Sequence, residues 1–423
     1  MKKLIPALLA LCFLLTSCSL LTLEYKITDD TTHDLSVEMP ETSYTEITPK
    51  PPVTLPSLDG ELAPDKLLSQ LPDMDFVEKY FEAPTDDSVA YFTIATVNDA
   101  PIFSSADEIA GSSVASALNA VEEKYNLDII STPYTPEEFD SRIKESQLSG
   151  RYFADLLSLP TTTAAIYGTA EYCKPISSLP YINSKAPYFV QEGFEYGGDL
   201  GEFAVLTGAS YLSRDLCCLY FDTSAVPEEI YVKALDKTLD WAYIFSLMNK
   251  SGRGIYSTAD LADVYRLTCG ARYVKNGDTT TLQNSPFECM GKQTPADALN
   301  VATSHALTYF DEDEPLFIVD TLGSYSKYAS STTKYGMLPL PGYGKSSTHG
   351  FINSDKVNFF MCPNYTTTTE GAGIVISALG AAVSQREANI LLTLIRENAR
   401  DNGTLLISHL LLAPPAWDSD SGF

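Results

Sequence analysis

The sequence predicts an α/β fold, and three features of residues 88–163 carry that prediction. The run 88–97 (SVAYFTIATV) is almost wholly apolar, β-branched or aromatic, as a strand buried on both faces of a parallel sheet must be. Two capping boxes, Ser105 with Glu108 and Thr135 with Glu138, each open a stretch of helical period. Short apolar runs at 128–131 (DIIS) and 155–159 (DLLSL) follow those stretches, so the order is strand, helix, strand, helix, strand. Two crossovers of that kind give parallel strands and a right-handed unit.

Each element has its own warrant. The first helix places Val114, Leu118, Val121 and Tyr125 on one face. The second has Pro136 at its first helical position, Phe139 and Ile143 inward, and Gly150 as its stop. Ligands of open α/β sheets bind beyond the carboxyl ends of the strands. Those ends are expected at Asn98 and Asp99, at Thr132 and Pro133, and at 160–163. They are polar or turn-forming and supply no catalytic constellation, which points to a binding lobe.

Residues 1–17 have secretory form: Lys2 and Lys3, then an apolar run at 4–15 that is too short to span a bilayer. Leu15, Thr16, Ser17 and Cys18 resemble the lipobox of bacterial lipoproteins. That resemblance implies cleavage before Cys18, lipid on its thiol, and tethering to the outer face of the cytoplasmic membrane. From 19 to 87 there are sixteen acidic and four basic side chains, with eight prolines between Pro40 and Pro84. Such a stretch stays extended and disordered, so 18–70 is expected to be a linker. The chain carries a formal net charge of −27 and no basic patch, which argues against nucleic acid and polyanionic ligands.

Further along, 215–222 (DLCCLYFD) reads as an apolar strand, and Asp240 leads into a helix with Trp241, Ile244, Phe245 and Met248 inward. Residues 316–319 and 335–341 read as short strands, 296–310 and 385–400 as helices, and 371–383 as a small apolar segment. Residues 197–207 read as a glycine-opened strand, and 249–284 carries no clear pattern.

Several passages resemble extracellular solute-binding proteins of family 1, the carbohydrate-leaning ABC-transporter group, and its clostridial lipoproteins in particular. They are Leu71, Pro72, Asp73, Met74 and Asp75; the run Val121, Glu122, Glu123, Lys124, Tyr125 and Asn126; Thr238, Leu239 and Asp240; and Gly336 through Pro341. Where the family ends its lobe-crossing strand in phenylalanine, asparagine and lysine, this chain has Phe221, Asp222 and Thr223. The resemblance implies a two-lobed periplasmic-binding-protein-like fold with a ligand cleft between lobes joined by crossing strands. Lobe one is then 71–200, lobe two with its hinge strands 201–341, and 342–423 the return to lobe one with a short tail. The outgoing crossing is expected at 201–206 and the return at 337–341. It also implies a monomer that captures a small solute, a mono- or oligosaccharide, and delivers it to ABC permease subunits. No cofactor or metal is expected.

Sugars are held by aromatic faces and planar polar side chains. Candidates at the strand ends are Asn98, Asp99, Phe103, Thr161, Thr162 and Tyr167, with Tyr211, Ser324 and Tyr325 from lobe two. Trp241 fits core packing, among Ile244, Phe245 and Met248. Catalysis finds little support. Ser324 with Lys327 and Ser331 with Lys334 match S-x-x-K, but its downstream partner motifs are missing. His33, His305, His349 and His409 have no zinc spacing, and 311–314 lacks a calcium-loop pattern. The other readings are a surface lipoprotein that binds cell-wall glycan without transport, and a secreted glycan-acting hydrolase using paired carboxylates. Export permits disulfides, but spacing alone pairs none of the cysteines. Cys217 and Cys218, adjacent in one strand, point to opposite faces as buried thiols. The family continues with further helices beyond Arg400, so 410–423 is expected to fray, 405–412 to lie uncovered, and lobe two to be the less stable half.

Overall fold

The computed structural model describes residues 66–80, 88–98, 100, 102–103, 108–190, 202–268, 315–329, 331, 333–342, 350–399, 401–407, 411 and 416–417. The signal segment with Cys18, most of the acidic linker, Asp99, the first capping box, and the helix expected at 296–310 lie outside them.

Along the chain, α1 (Phe76–Tyr80) precedes β1 (Ala90–Val97), α2 (Glu108–Tyr125), β2 (Leu127–Tyr134), α3 (Pro136–Ser149), β3 (Leu156–Pro160) and α4 (Thr161–Tyr167). β1 runs parallel to both β2 and β3, with Val97 opposite Tyr134 and Ile94 opposite Leu156. The strand–helix alternation expected from the sequence is therefore present. β2 runs on to Tyr134, however, so Thr132 and Pro133 lie within the strand and not beyond its end. At α3 the capping box is complete. Thr135 Oγ1 accepts the Glu138 amide, Glu138 Oε2 accepts the Thr135 amide, and Gly150 closes the helix at φ 67°. Thr135→Ala is expected to cost about 1 kcal/mol of stability, readable in a urea titration.

The approach to β1 is pinned to the end of α2. Lys124 Nζ pairs with Asp73 at 2.5 Å, and Asn126 Nδ2 donates to both carboxylate oxygens of Asp75 at 3.0 and 3.1 Å. Two of the passages that carry the family resemblance thus hold each other in place.

β4 (Cys173–Lys174) and β5 (Ala204–Val205) complete the first sheet only with the help of a strand from far down the chain. That strand is β11, which follows β6 (Cys217–Asp222), α5 (Glu229–Leu235), α6 (Trp241–Ser251), β7 (Ile255–Ser257), α7 (Leu261–Thr268), β8 (Phe317–Thr321), α8 (Tyr325–Ala329), β9 (Tyr335–Leu338) and β10 (Phe351–Ile352). β11 (Asn358–Pro363) runs antiparallel to β3, β4 and β5, giving the order β2-β1-β3-β11-β4 with β5 also beside β11. After it come α9 (Thr369–Asn398), α10 (Asn402–Ile407) and β12 (Ala416–Trp417).

The second sheet has the order β12-β10-β6-β8-β7, with β9 also on β6. β6 is antiparallel to β8, β9 and β10. Both β9 and β10 belong to this sheet, so the chain passes back to the first sheet after Ile352, beyond the expected return at 337–341. The fold is α/β and two-lobed, one sheet to each lobe.

Among the described residues, three apolar clusters build the core. One packs α2 and the first half of α9 on Phe92, Ile94 and Leu156 of the first sheet. Another packs α5, α6 and α7 on Leu219, Phe221 and Val319 of the second sheet, with Trp241 buried among them and its indole N–H on Thr268 Oγ1 at 2.9 Å. The third joins the remaining faces of both sheets: Ala95, Val97 and Phe139 from one lobe, Tyr220, Ile318, Tyr325 and Met337 from the other. Cys217 and Cys218 fall in different clusters, as their alternation requires, and both are free and buried, with burial pushing the Cys217 thiol up to about 12.

The small apolar segment and the helix expected after it are one element. α9 is 30 residues, about 45 Å long, and runs through Ser384, whose hydroxyl donates to Gly380 O within the helix. Its first half, 372–383, lies in the first lobe's core, whereas Leu391 and Ile395 pack in the cluster shared with lobe two. The close approach needs glycine: a Cβ on Gly373 would sit 1.9 Å from Pro180 O. Of the tail expected to fray, only residues 411 and 416–417 are among the described residues. Ala416 and Trp417 pair in parallel with β10, and Leu411 is buried in the shared cluster.

Candidate functional site

The carboxyl ends of β1 and β3 supply the lobe-one part of the candidate site. Asn98 takes φ 57°, a left-handed turn that asparagine tolerates, and its side chain is exposed at the tip of β1. Its amide donates to Tyr134 O at 2.9 Å, and its carbonyl accepts Thr96 Oγ1 at 2.8 Å, so the tip is held from two sides. Thr161 begins α4 directly after β3. It is buried, and its Oγ1 has no partner among the described residues. Thr162 beside it is exposed.

The other lobe-one candidates are placed differently. Tyr167 is buried against Phe139 and Tyr172, with ring centroids 5.3 and 5.2 Å away, and its hydroxyl donates to Asp140. Burial and that carboxylate raise its pKa. Phe103 packs against the first-lobe core. Asp99 lies outside the described residues. Tyr211 is half-buried a few residues after β5, next to Ser210, whose O accepts the Asn358 backbone amide at 2.8 Å. Asn358 in turn extends its amide toward Ser158 O at 3.3 Å, joining β11 to β3 at the base of the lobe connection.

In lobe two the turn from β8 into α8 gathers polar and aromatic groups. Ser324 Oγ shares a hydrogen bond with Thr321 Oγ1 at 3.2 Å, and buried Tyr325 stacks at 15° on Tyr220. The centre of this group is Asp320, which sequence reading did not single out. One oxygen accepts Tyr328 Oη at 2.6 Å; the other accepts Thr258 Oγ1 at 2.9 Å and the Thr321 amide at 2.7 Å. Burial and the adjacent Asp320 raise the Tyr328 pKa, so its phenol stays a donor. No Lys or Arg pairs with Asp320 among the described residues. The only sequence signal for Asp320 was its place at the end of an apolar strand.

The structure therefore brings Asn98, Thr161 and Thr162 to one end of the first sheet, and Ser324 and Tyr325 to the Asp320 cluster of the second. Asn98 and Thr162 present exposed hydrogen-bonding side chains, whereas the Tyr325 ring is buried on Tyr220. Among the described residues no group of three or more His, Cys, Asp or Glu side chains is placed to hold a metal. Nor is any helix there long and apolar enough to cross a membrane.

No protein-family model and no curated protein matches the sequence. Among solved structures the chain is similar to an extracellular solute-binding protein family 1 from Alicyclobacillus acidocaldarius, with TM-score 0.48 and 13% identity over 78% of this chain and 88% of that one. It is similar to the cyclic alpha-maltosyl-1,6-maltose binding protein from Arthrobacter globiformis, with TM-score 0.48 and 8% identity over 78% and 89%. A cyclo/maltodextrin-binding protein complexed with maltotetraose gives TM-score 0.45 and 14% identity over 80% and 89%. The first of these carries the name of the family that the sequence motifs resemble.

Proposed function

We propose that this chain is a lipid-anchored, extracellular solute-binding protein that takes a carbohydrate between its two lobes and presents it to an ABC importer. The observation that carries the reading is the interlocked pair of sheets. A strand from beyond lobe two completes the lobe-one sheet, so the lobes are tied by connections that can bend while each sheet stays rigid. Solute captured at Asn98, Thr161 and Thr162 on one side and at the Asp320 and Ser324 cluster on the other draws the lobes together, and the closed shape is what a permease recognises. Thr161 Oγ1, buried and unpartnered, is a ready hydrogen-bond partner for a sugar hydroxyl. No bond is made or broken.

A thermal-shift screen with neutral mono- and oligosaccharides, and with peptides as controls, tests the reading. At a hundredfold excess over its dissociation constant, a bound sugar is expected to add about 2.7 kcal/mol. A shift with peptides and none with any sugar makes the chain a peptide carrier. The anchor is tested separately: Cys18→Ala is expected to move the protein from the membrane fraction to the medium. A variant that stays with the membrane, beside unprocessed wild type, removes the lipid from the proposal.

A further inference from the structure

We propose that the outer side of lobe one carries a second saccharide site, in the groove between α3 and the sheet edge formed by β2, and that it takes a neutral oligosaccharide. β2 is the last strand of its sheet, and beside it lies a cavity of about 430 Å³ lined by Tyr134, Arg142, Glu145, Arg151, Tyr152 and Phe153. Pockets of this size hold small ligands. The walls alternate rings with planar polar groups. Tyr134 and Phe153 meet with centroids 5.4 Å apart, and Tyr152 is 48% exposed.

Tyr152 is an exposed ring held in one place, because its hydroxyl donates to the buried Asp155 carboxylate at 2.9 Å. A fixed, half-open ring is a platform that loses little freedom when a flat ligand face lies on it. The platform extends beyond the cavity. Parallel pairing sets Tyr91 opposite Asp128, Thr93 opposite Ile130 and Val97 opposite Tyr134, so Tyr91, Ile130 and Tyr134 share the α3 face of the sheet. Tyr91 is 65% and Ile130 42% exposed, and over about 20 Å of this face the apolar side chains Tyr91, Ile130 and Tyr134 alternate with the polar Asp128, Thr93 and Thr132.

Charge selects the ligand class. Arg142 faces Glu145 at 3.8 Å, and Arg151 stands just past the carboxyl-terminal end of α3, where the helix carries about half a negative elementary charge. The two guanidinium groups outnumber the one carboxylate, and the helix end offsets about half of that single excess charge, so an anion gains only a fraction of one charge there. The guanidinium and carboxylate groups still offer several donors and acceptors in fixed planes, the groups that adjacent sugar hydroxyls need. The site does not share residues with the proposed cleft, so it stands or falls independently of that reading.

The test uses the full chain, titrated separately with maltotetraose, cellotetraose, chitotetraose and, as an anionic probe, trigalacturonate, with hydrogen exchange as the readout. One of the neutral tetrasaccharides is expected to slow exchange across 128–153, and Arg142→Ala and Tyr152→Ala are each expected to weaken that binding about tenfold. Arg142 is exposed, so its variant keeps the fold and remains informative if Tyr152→Ala does not. Protection of 128–153 by trigalacturonate alone, protection by no probe, or wild-type affinity in Arg142→Ala would each overturn the proposal.

Discussion

Arg253→Ala is expected to destabilise lobe two by about 3 kcal/mol at pH 7, among the largest effects of any single exchange of a polar side chain here. Arg253 Nη1 donates to Asp222 Oδ2 at 2.7 Å, and Nη2 to Pro315 O at 3.1 Å. The Asp222 side chain is only 5% exposed, and its second oxygen accepts the Ser224 amide and hydroxyl at 2.9 and 2.6 Å. Burial pushes the Asp222 carboxyl up; Ser224 and Arg253 outweigh it and hold the pKa below the usual carboxylate range. A folded pKa below the unfolded one gives stability that is present above the unfolded value, near pH 4, and lost as pH falls through the folded value. Removing the cation leaves a buried carboxylate that costs stability while it is charged. The gap between wild type and variant should therefore be wide in urea titrations at pH 7 and should narrow as pH falls through the folded Asp222 value, below pH 4. An equal gap at both pH values would refute the assignment.

Asp222 also marks where the sequence could be read and where it could not. It was legible as a departure from the family's asparagine at the end of the crossing strand, but its partner is 31 residues on, in the stretch without clear pattern. Local signals fared well because local physics decides them. The Thr135 and Glu138 capping box, the Gly150 stop and the inward face of α6 all depend on neighbours within a few residues. β11 depends on no such neighbours. Asn358, Phe359, Phe360, Met361, Cys362 and Pro363 form a fully buried run without alternation, and what makes it a strand is the open edge of β3, two hundred residues earlier. The centre of the second half of the candidate site was illegible for the same reason. Asp320 gains meaning only when Thr258 and Tyr328 are folded against it. Tyr167 and Tyr325 stood where ligand contacts were expected, but position along a strand does not tell which face a ring takes. Both rings are buried in the shared apolar cluster.

Gly403→Ala is expected to cost about 3 kcal/mol and to loosen α10 from the second lobe. A Cβ at 403 would lie 2.1 Å from Cε2 and 2.2 Å from Cδ2 of Tyr231. That ring has nowhere to go. The ring also meets Phe221, with centroids 5.3 Å apart, and its hydroxyl would be 2.4 Å from a Cβ on Gly336, so Tyr231 fits closely against two glycines. The hydroxyl donates to Asp401 Oδ1 at 2.5 Å, and the same carboxylate accepts the Thr404 amide at 2.6 Å and Thr404 Oγ1 at 2.9 Å. Thr404 Oγ1 then accepts the Met337 amide of β9 at 3.0 Å. The lesion therefore has a specific reporter: hydrogen exchange at Met337 should accelerate in Gly403→Ala. In a Tyr231→Ala background the ring is gone and the same exchange at 403 should cost much less, a coupling that a double-mutant cycle measures. An unchanged Met337 amide, or additive penalties in the cycle, would show that α10 is held by something else. Because α10 follows α9 after only three residues, and α9 is built into both apolar cores, this small lock fixes one end of the helix that links the lobes.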